Sequence, residues 1–183
     1  MIIKRTSLEG VAVVETEPYH DERGAFARLY CENELAGIIG PRKIVQINHS
    51  RTHAVGAVRG LHYQNPPHAE MKLVRCLKGR VWDVAVDLRS GSPTYLHWHA
   101  EELTPANARM LVIPEGCAHG FQVLEADSEL LYLHTSAYQP GSEGGVAFND
   151  SALRIAWPLP VADLSARDKN HPAIDALFTG IVI

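Results

Sequence analysis

The sequence predicts an all-β domain, either a barrel or a sandwich, on three observations. Short stretches rich in Val, Ile, Tyr and Leu recur along the chain, and Gly, Pro, Asn and Asp separate them. Helical periodicity is scarce, and the chain has no internal repeat or low-complexity segment. Its 183 residues can bury one sizeable core and fall within the size range of one domain. We therefore expect a single domain over residues 1–183.

The predicted strands are short and follow one another with turns between them. Each is a run of β-branched and other apolar residues bounded by turn-forming residues. A turn is predicted at 21–24, and one helical turn is predicted at 32–36. The predicted strands are 11–15, 25–31, 44–48, 58–64, 72–77, 80–88, 95–103, 109–113, 119–125, 129–136 and the short 155–157.

Lys78 and Gly79 lie between strands 72–77 and 80–88 and predict the clearest hairpin of the chain. Within strand 80–88, successive side chains point to opposite faces. Both faces are partly apolar, as expected where two sheets or a closed barrel surround the strand. One face carries Val81, Asp83, Ala85 and Asp87, and the other carries Trp82, Val84, Val86 and Leu88.

The last part of the chain predicts a covering segment and not a second domain. After Tyr138 the strand pattern loosens into Gln-Pro-Gly-Ser-Glu-Gly-Gly. We expect residues 139–183 to wrap over the barrel. Ser165 would cap a short helix in this wrap, with Asp168 three residues on in a weak capping box.

Composition excludes several classes of partner. The chain has 17 basic and 21 acidic residues, a net charge of -4, and no basic stripe of the kind that binds nucleic acid. No apolar h-region follows the N-terminal charges, and no apolar run of membrane-spanning length occurs. Cys31, Cys76 and Cys117 are odd in number and form no C-x-x-C pair, which is typical of buried thiols in a reducing compartment. We expect a soluble, cytoplasmic protein.

The stretch 59–72 concentrates the side chains that could carry chemistry. It places Arg59, His62 and Lys72 on either side of a Pro-Pro turn. If both strands line one pocket, these side chains together supply an anion-binding group, a base and an electrophile. Strict alternation puts Arg59 and His62 on opposite faces, so both reach the pocket only if the strand bends or bulges. Gly60 is the residue that would allow a bulge.

Five motifs together resemble the nucleotide-sugar 3,5-epimerase family, over about residues 21–172. They are Arg-Gly-Leu-His-Tyr-Gln at 59–64, Lys72 after the Pro-Pro turn, Pro-Glu-Gly-Cys-Ala-His-Gly-Phe at 114–121, Tyr132 to Tyr138 followed by Pro140 and Glu143, and Ser-Ala-Arg-Asp at 165–168. The resemblance implies an all-β double-stranded β-helix (the cupin or jelly-roll barrel) with short helices and a C-terminal wrap. It also implies a homodimer in which an N-terminal segment adds to the neighbour's sheet.

The activity that the resemblance implies is inversion of C3, C5 or both in a nucleotide-linked 4-keto-6-deoxyhexose. The leading substrate is dTDP-4-dehydro-6-deoxy-D-glucose, which gives dTDP-4-dehydro-L-rhamnose. Hydrogens at C3 and C5 are acidic because the adjacent carbonyl takes up the charge as an enolate. The reaction therefore needs a base, an enolate stabiliser and an acid on the opposite face, and we expect no cofactor and no metal.

Four side chains are the candidate catalytic residues. His62 is the candidate base, since imidazole titrates nearest neutral pH. Asp168 would hold the imidazole in its productive tautomer. Lys72 would place positive charge on the C4 oxygen, and Tyr132 would return the proton from the other face. Each residue also has a non-catalytic alternative: His62 can be a structural histidine and Asp168 a helix cap. Lys72 can be a solvated lysine and Tyr132 an ordinary strand aromatic.

The resemblance also implies a set of substrate-binding residues. Guanidinium groups match phosphate oxygens, aromatic rings pack on the base and ribose, and polar side chains line the sugar pocket. Arg59 and Arg23 would bind the diphosphate, with Arg23 coming from a neighbouring chain. Phe26 and Tyr138 would pack on the nucleoside. The residues for the sugar pocket are Gln46, Asn48, His119 and Glu143. Arg28 and Glu70 depart from the family pattern, so the substrate can differ although the chemistry is kept.

Three alternatives remain at this point. A single-centre epimerase acting at C3 or C5 of another nucleotide sugar needs the same base. A metal-dependent cupin enzyme is suggested by His97-Trp98-His99, which puts two imidazoles on one strand face, although no third ligand follows at convincing spacing. A silent sugar-binding cupin would best fit a chain that lacks His62, Lys72 or Tyr132, and all three are present.

Overall fold

The computed structural model describes residues 1–183 and is built mainly from β-strands. The strands are β1 (Ile2–Arg5), β2 (Ala12–Glu15), β3 (Tyr19–Asp21), β4 (Gly24–Phe26), β5 (Gln46–Thr52), β6 (Val58–Gln64), β7 (Lys72–Lys78), β8 (Val81–Asp87), β9 (Trp98–Leu103), β10 (Arg109–Ile113), β11 (Cys117–Val123), β12 (Ser128–His134) and β13 (Glu143–Gly145). Two short helices, α1 (Glu32–Ile39) and α2 (Ala166–Lys169), and a 3-10 turn at Pro140–Ser142 complete the chain.

Two antiparallel sheets face one another and form the jelly-roll barrel that the sequence analysis predicted. The six-stranded sheet has the order β1-β2-β10-β7-β12-β5, and the five-stranded sheet has the order β13-β6-β11-β8-β9. The hairpin of β3 and β4 pairs with neither sheet. Consecutive strands repeatedly cross from one sheet to the other, so residues distant in sequence become neighbours.

The core has three layers because both sheets are covered on their outer faces. Between the sheets, Val74 and Leu111 of one sheet pack against Ala85 of the other. The outer face of the six-stranded sheet packs against α1 through Leu35 and Ile39. The outer face of the five-stranded sheet is covered by the C-terminal segment, with the following members from 139–183: Val146, Leu153, Ile155, Trp157, Ile174, Phe178 and Ile181.

The alternation predicted along β8 is confirmed. Val81 and Ala85 face the space between the sheets. Val84 and Val86 face outward, beneath the C-terminal segment. The C-terminal segment removes these outward side chains from water, which explains why they are apolar. Each Å² of apolar surface buried in this way stabilises the fold by about 25 cal/mol.

The predicted hairpin at Lys78 and Gly79 is wrong. Strand β7 pairs with β10 and β12, whereas β8 pairs with β9 and β11 in the opposite sheet. The turn is therefore a corner between the sheets. Gly79 has φ +77°, and a Cβ there would lie 2.3 Å from the Ser128 Oγ. The glycine serves this close corner and not a two-residue hairpin, and sequence cannot tell the two uses apart.

Two predicted strands differ most from those in the structure, whereas others, such as 44–48 against β5 and 95–103 against β9, are displaced at their ends. The strand predicted at 25–31 ends at Phe26, because β3 and β4 pair only with each other over three residues. The strand predicted at 155–157 is absent. Its Ile155 and Trp157 pack as side chains beneath the C-terminal segment, and the Trp157 indole donates to the Phe148 carbonyl at 2.9 Å. Apolar composition there reflects packing and not sheet pairing.

The three cysteines are free, and two of them are buried. Burial raises the pKa of Cys76 to about 11 and that of Cys117 to about 12, so both thiols stay protonated at neutral pH. None of the helices has the length and apolar character needed to span a membrane.

Candidate active site

A cavity of about 490 Å³ opens between the two sheets at one end of the barrel. Strands β5, β6, β7, β11 and β12 all contribute side chains to it. Eight of the twelve predicted site residues line it, namely Asn48, Arg59, His62, Lys72, His119, Tyr132, Tyr138 and Glu143. A larger cavity of about 630 Å³ lies between the N-terminal segment and α1 and contains none of the twelve. The concentration of ionisable groups, and not volume, therefore identifies the candidate site.

A bulge at Gly60 turns both Arg59 and His62 into this cavity. In the pairing of β6 with β11, His62 lies opposite His119 and Arg59 lies opposite Phe121, so two residues face one between these pairs. Gly60 has φ +133°, and a Cβ there would lie 2.5 Å from the Cα of the facing strand's glycine. The geometric condition stated from the sequence is met, and only glycine satisfies it.

His62 and Asp168 form a hydrogen-bonded pair at the edge of the cavity. The His62 Nε2 lies 2.7 Å from the Asp168 Oδ1, and the Gly60 amide donates to the other carboxylate oxygen at 3.2 Å. Asp168 is held by α2, where the Ser165 hydroxyl accepts from its amide at 3.0 Å. The predicted N-cap is therefore present, and the Asp168 carboxylate is free to face β6.

The protonation states of this pair suit a base. Burial lowers the pKa of His62 below its ordinary value of 6.5, against the opposing effect of Asp168. Burial works against the Asp168 charge, but hydrogen bonds from His62 and Gly60 outweigh it and hold the pKa of the carboxyl well below its usual range. The carboxylate accepts a hydrogen bond from the Nε2–H group, so the neutral ring carries its lone pair on Nδ1.

Lys72 lies beside His62 within a buried network that the sequence did not reveal. Its Nζ donates to the His62 carbonyl at 3.2 Å and lies 3.2 Å from the Glu70 carboxylate. Glu70 contacts the His134 Nδ1 at 2.7 Å, and the other His134 nitrogen lies 3.3 Å from the Asn48 amide. Burial opposes the Glu70 charge, but His134 and Lys72 outweigh it and lower its pKa. The ammonium group is thereby fixed in position.

Tyr132 lies on the six-stranded sheet, as Lys72 does, and faces the cavity from the sheet opposite to that of His62. Its hydroxyl shares a hydrogen bond with the Ser50 hydroxyl at 3.0 Å. Burial raises the pKa of Tyr132 far above 10. The phenol is therefore protonated at neutral pH, as a proton donor must be. Ser50 carried no sign of a site role in the sequence.

His119 belongs to a second histidine–aspartate pair at the floor of the cavity. Its Nε2 lies 2.8 Å from the Oδ1 of Asp83, which is fully buried. The other oxygen of Asp83 has no hydrogen-bond partner. Burial raises the pKa of the Asp83 carboxyl, although His119 acts to lower it. The sequence offered one sign of this pair, an acid on the inward face of β8.

The rim of the cavity is basic and aromatic. The Arg59 guanidinium makes only a long hydrogen bond, 3.4 Å, to the Thr52 hydroxyl, which leaves its donors available. Arg167 contacts Glu143 at 2.8 Å and the His62 Nε2 at 3.1 Å. The Tyr138 hydroxyl donates to Glu143 at 3.1 Å. Arg167 was missed as a site residue, although it lies within the Ser-Ala-Arg-Asp motif.

Three predicted binding residues lie outside the cavity lining. Gln46 lies just beyond the rim, and its Oε1 accepts a hydrogen bond from the Tyr138 amide at 3.0 Å. Arg23 and Phe26 are on the separate β3–β4 hairpin, where their side chains do not line the cavity. The Arg23 side chain is 88% exposed and pairs with Asp21. A single chain therefore does not bring Arg23 and Phe26 to the site.

The metal alternative at His97 and His99 has no third ligand in the structure. His97 is exposed, and the His99 Nε2 lies 3.6 Å from Glu101. One cluster of three potential metal ligands exists in the chain, and it does not contain these histidines. It consists of His62, Asp168 and His171.

Comparison with known proteins identifies the family. Residues 5–176 match the family model described as dTDP-4-dehydrorhamnose 3,5-epimerase. The dTDP-4-dehydrorhamnose 3,5-epimerase of Salmonella typhimurium is 44% identical over 183 residues, covering 98% of this chain and 99% of that enzyme.

Solved structures agree with this assignment. The dTDP-6-deoxy-D-glucose-3,5-epimerase of Legionella pneumophila, in complex with dTDP-4-keto-L-rhamnose, is 38% identical with a TM-score of 0.89, covering 94% of this chain and 92% of that one. A 3'-monoepimerase from Streptomyces bikiniensis, in complex with dTDP-quinovose, is 32% identical with a TM-score of 0.86, covering 93% and 86%. The chain therefore belongs to the dTDP-4-dehydrorhamnose 3,5-epimerase family and is an isomerase.

Proposed function

We propose that this protein inverts both C3 and C5 of dTDP-4-dehydro-6-deoxy-D-glucose and so produces dTDP-4-dehydro-L-rhamnose. The observation that carries the proposal is the placement of His62, Lys72 and Tyr132 around one cavity. They supply a neutral base, a cation and a protonated phenol. An epimerisation next to a ketone needs these three functions and no redox step.

The first step is proton abstraction. The His62 Nδ1 takes the proton from a carbon next to the C4 ketone, and the electrons of that bond move through the new double bond to the C4 oxygen. Lys72 stabilises the enolate oxygen, because a fixed cation in a water-poor site needs no reorganisation as charge develops. Asp168 stabilises the imidazolium that forms.

The second step returns a proton to the opposite face of the ring. Tyr132 donates from the six-stranded sheet, whereas His62 lies on the five-stranded sheet, so the two groups flank the cavity from opposite sides. The imidazolium then loses its proton to solvent, and the phenolate regains one. The same residues can then act at the second carbon.

The nucleotide part of the substrate is proposed to bind at the rim. Arg59 and Arg167 would contact the diphosphate, since guanidinium forks match phosphate oxygens. Tyr138 would pack on the nucleoside. The remaining proposed contacts to the substrate come from Gln46, Asn48, His119 and Glu143, with Arg23 and Phe26 from a second chain.

The protein is proposed to act as a homodimer, and the position of the β3–β4 hairpin supports this. Arg23 and Phe26 are exposed and cannot serve the cavity of their own chain in this conformation. Strand β1 forms one edge of the six-stranded sheet, with Ile2 46% and Ile3 38% exposed, which suits addition to a neighbour's sheet. Analytical ultracentrifugation should give the mass of two chains, and a fully active monomer would contradict this arrangement.

The proposal also includes the domain organisation and the cellular location of the protein. Residues 1–183 form one cupin domain, since the segment 139–183 shares a core with the five-stranded sheet. A cytoplasmic location is supported by the three free cysteines, which suit a reducing compartment.

The test is solvent isotope incorporation. The protein is incubated with dTDP-4-dehydro-6-deoxy-D-glucose in deuterated water, and NMR locates the deuterium. Label at both C3 and C5 of an L-rhamnose-configured product is the expected result. Absence of exchange with any nucleotide-linked 4-keto sugar would remove the enzymatic proposal.

A single-centre epimerase is the second candidate, because the similar Streptomyces bikiniensis protein is described as a 3'-monoepimerase. The base and its partner would be the same, and the two activities differ in how long the enolate is held and whether the ring can turn. Label confined to one carbon would favour this alternative.

A further inference from the structure

A second imidazole lies against the His62–Asp168 pair. The His171 Nε2 is 3.6 Å from the Asp168 Oδ1, and the His171 ring meets the His62 ring edge-on with centroids 5.3 Å apart. The His171 Nε2 is buried and has no hydrogen-bond partner. Buried polar atoms without partners are uncommon and call for a physical explanation. Nothing in the epimerisation proposed above uses this nitrogen.

The position of His171 is fixed by packing. Gly145 lies opposite His62 in the pairing of β13 with β6. The His171 ring rests directly on Gly145, where a Cβ would come within 2.2 Å of the ring's Cε1. The His171 side chain is only 11% exposed. The imidazole is therefore held beside the catalytic pair by the fold.

We infer that His62, Asp168 and His171 form a binding site for a divalent transition metal ion, with Zn²⁺ as the ion of reference, and that its occupation inhibits the enzyme. Two imidazole nitrogens and one carboxylate oxygen lie within 4.8 Å of one another. Zn²⁺ binds such ligands at about 2.0–2.2 Å, which sets neighbouring tetrahedral ligand atoms roughly 3.4 Å apart. The two distances from Asp168, 2.7 Å to His62 and 3.6 Å to His171, bracket that spacing.

Arg167 is the group that must give way. Its Nη2 lies 3.1 Å from the His62 Nε2, and its Nε lies 3.4 Å from the Asp168 Oδ1. The side chain is 51% exposed and also pairs with Glu143 at the surface. It can swing toward Glu143 and solvent without disturbing the core, and this leaves the three ligand atoms accessible.

Inhibition follows from the tautomer that the metal imposes. With Asp168 as its partner, neutral His62 keeps its proton on Nε2 and its lone pair on Nδ1. A metal ion takes the Nε2 lone pair, so the one ring proton moves to Nδ1, and no lone pair remains for the sugar. This step of the inference rests on the proposed function, whereas metal binding itself does not.

Calorimetric titration of the full chain with ZnCl₂ alone, in phosphate-free buffer, tests the site. We expect one ion per chain. His171→Phe keeps a ring on Gly145 and removes the nitrogen, and His171→Gln provides a second variant should the first fold poorly. Each should weaken Zn²⁺ binding at least about 10-fold, the loss that even an outer-shell change can produce. His97→Gln, which alters an exposed histidine outside the cluster, should bind as the parent does. Equal affinity in parent and His171 variants would overturn the site.

Deuterium exchange measured with and without Zn²⁺ tests the inhibition. The parent should lose exchange as the ion binds and regain it when EDTA is added. The His171 variants should exchange at the parental rate without metal and resist the same Zn²⁺ concentration. Zn²⁺ bound at these residues with exchange unaffected would overturn the inhibitory role. Absence of exchange under all conditions would instead remove the proposed function and leave the titration result intact.

Discussion

Two histidine–aspartate pairs face each other across adjacent strands, with His62 directly opposite His119 in the sheet. Their hydrogen bonds are nearly equal in length, 2.7 Å to Asp168 and 2.8 Å to Asp83. The pKa values of the two carboxyl groups nevertheless shift in opposite directions, since that of Asp168 is lowered and that of Asp83 is raised.

The difference comes from the number of donors and from depth. Asp168 receives hydrogen bonds from His62 and from the Gly60 amide, one on each carboxylate oxygen. Asp83 is fully buried, and one of its oxygens has no partner. A short histidine–aspartate contact therefore does not by itself set the direction in which the pKa of the carboxyl shifts. The environment of Asp168 therefore favours the ionised carboxylate that a catalytic base requires of its partner, whereas burial of Asp83 disfavours the ionised form.

Removing the base should have the largest effect. His62→Ala should lower deuterium incorporation by about 10⁴-fold, the upper range for a general base. Binding of dTDP, measured by calorimetry, should persist because the arginines at the rim remain. Near-parental exchange in this variant would exclude His62 as the base and remove the functional distinction between the pairs.

Neutralising the partner of the base should come next. Asp168→Asn should reduce exchange by about 10²- to 10³-fold, since the imidazole survives with poorer orientation and an unstabilised imidazolium. The matched experiment is the same change in the other pair. If Asp168→Asn exchanges as fast as the parent protein, the proposed functional difference between the two histidine–aspartate pairs is contradicted.

The pH dependence of the parent should reflect the lowered pKa of His62. Burial lowers this pKa below 6.5, and the base form exists above it, so the rate should fall only as the pH drops through a midpoint below 6.5. The raised pKa of Tyr132 keeps the acid protonated throughout this range. Initial rates of exchange are to be measured between about pH 4.5 and about pH 8, which extends about 2 pH units below and about 1.5 units above the pKa of an ordinary histidine. A midpoint above 6.5 would show that charge pairing outweighs burial.

Changing the second pair should have the smallest effect. Asp83→Asn replaces a buried carboxyl whose pKa is raised, so the fold loses little charge stabilisation. We expect exchange to fall less than about 10-fold and stability in urea to change by about 1 kcal/mol or less. A loss as large as that of Asp168→Asn would mean that both pairs act in catalysis.

The sequence determined the features that depend on local pattern. Alternation along β8 predicted which side chains lie between the sheets and which lie beneath the C-terminal segment, and the structure confirms both faces. Ser165 was predicted to cap a helix, and it does. The motif at 59–64 required a bend or a bulge, which Gly60 would allow, for Arg59 and His62 to face one pocket, and the structure has a bulge there. These predictions succeed because periodicity and special backbone angles are properties of neighbouring residues.

Tertiary structure alone decided how distant residues meet. Gly79 marks a corner between sheets and not a hairpin, because its neighbour Ser128 comes from another strand. Lys72 contacts Glu70, which in turn contacts His134, and Tyr132 contacts Ser50. His134 and Ser50 were not recognisable as site residues, and neither was His171 beside Asp168. The contacts of Ser50 with Tyr132 and of Glu70 with His134 depend on the choice of strand order, since β12 lies between β5 and β7 in the six-stranded sheet. That choice is made by packing around the core, which no single stretch of the chain contains.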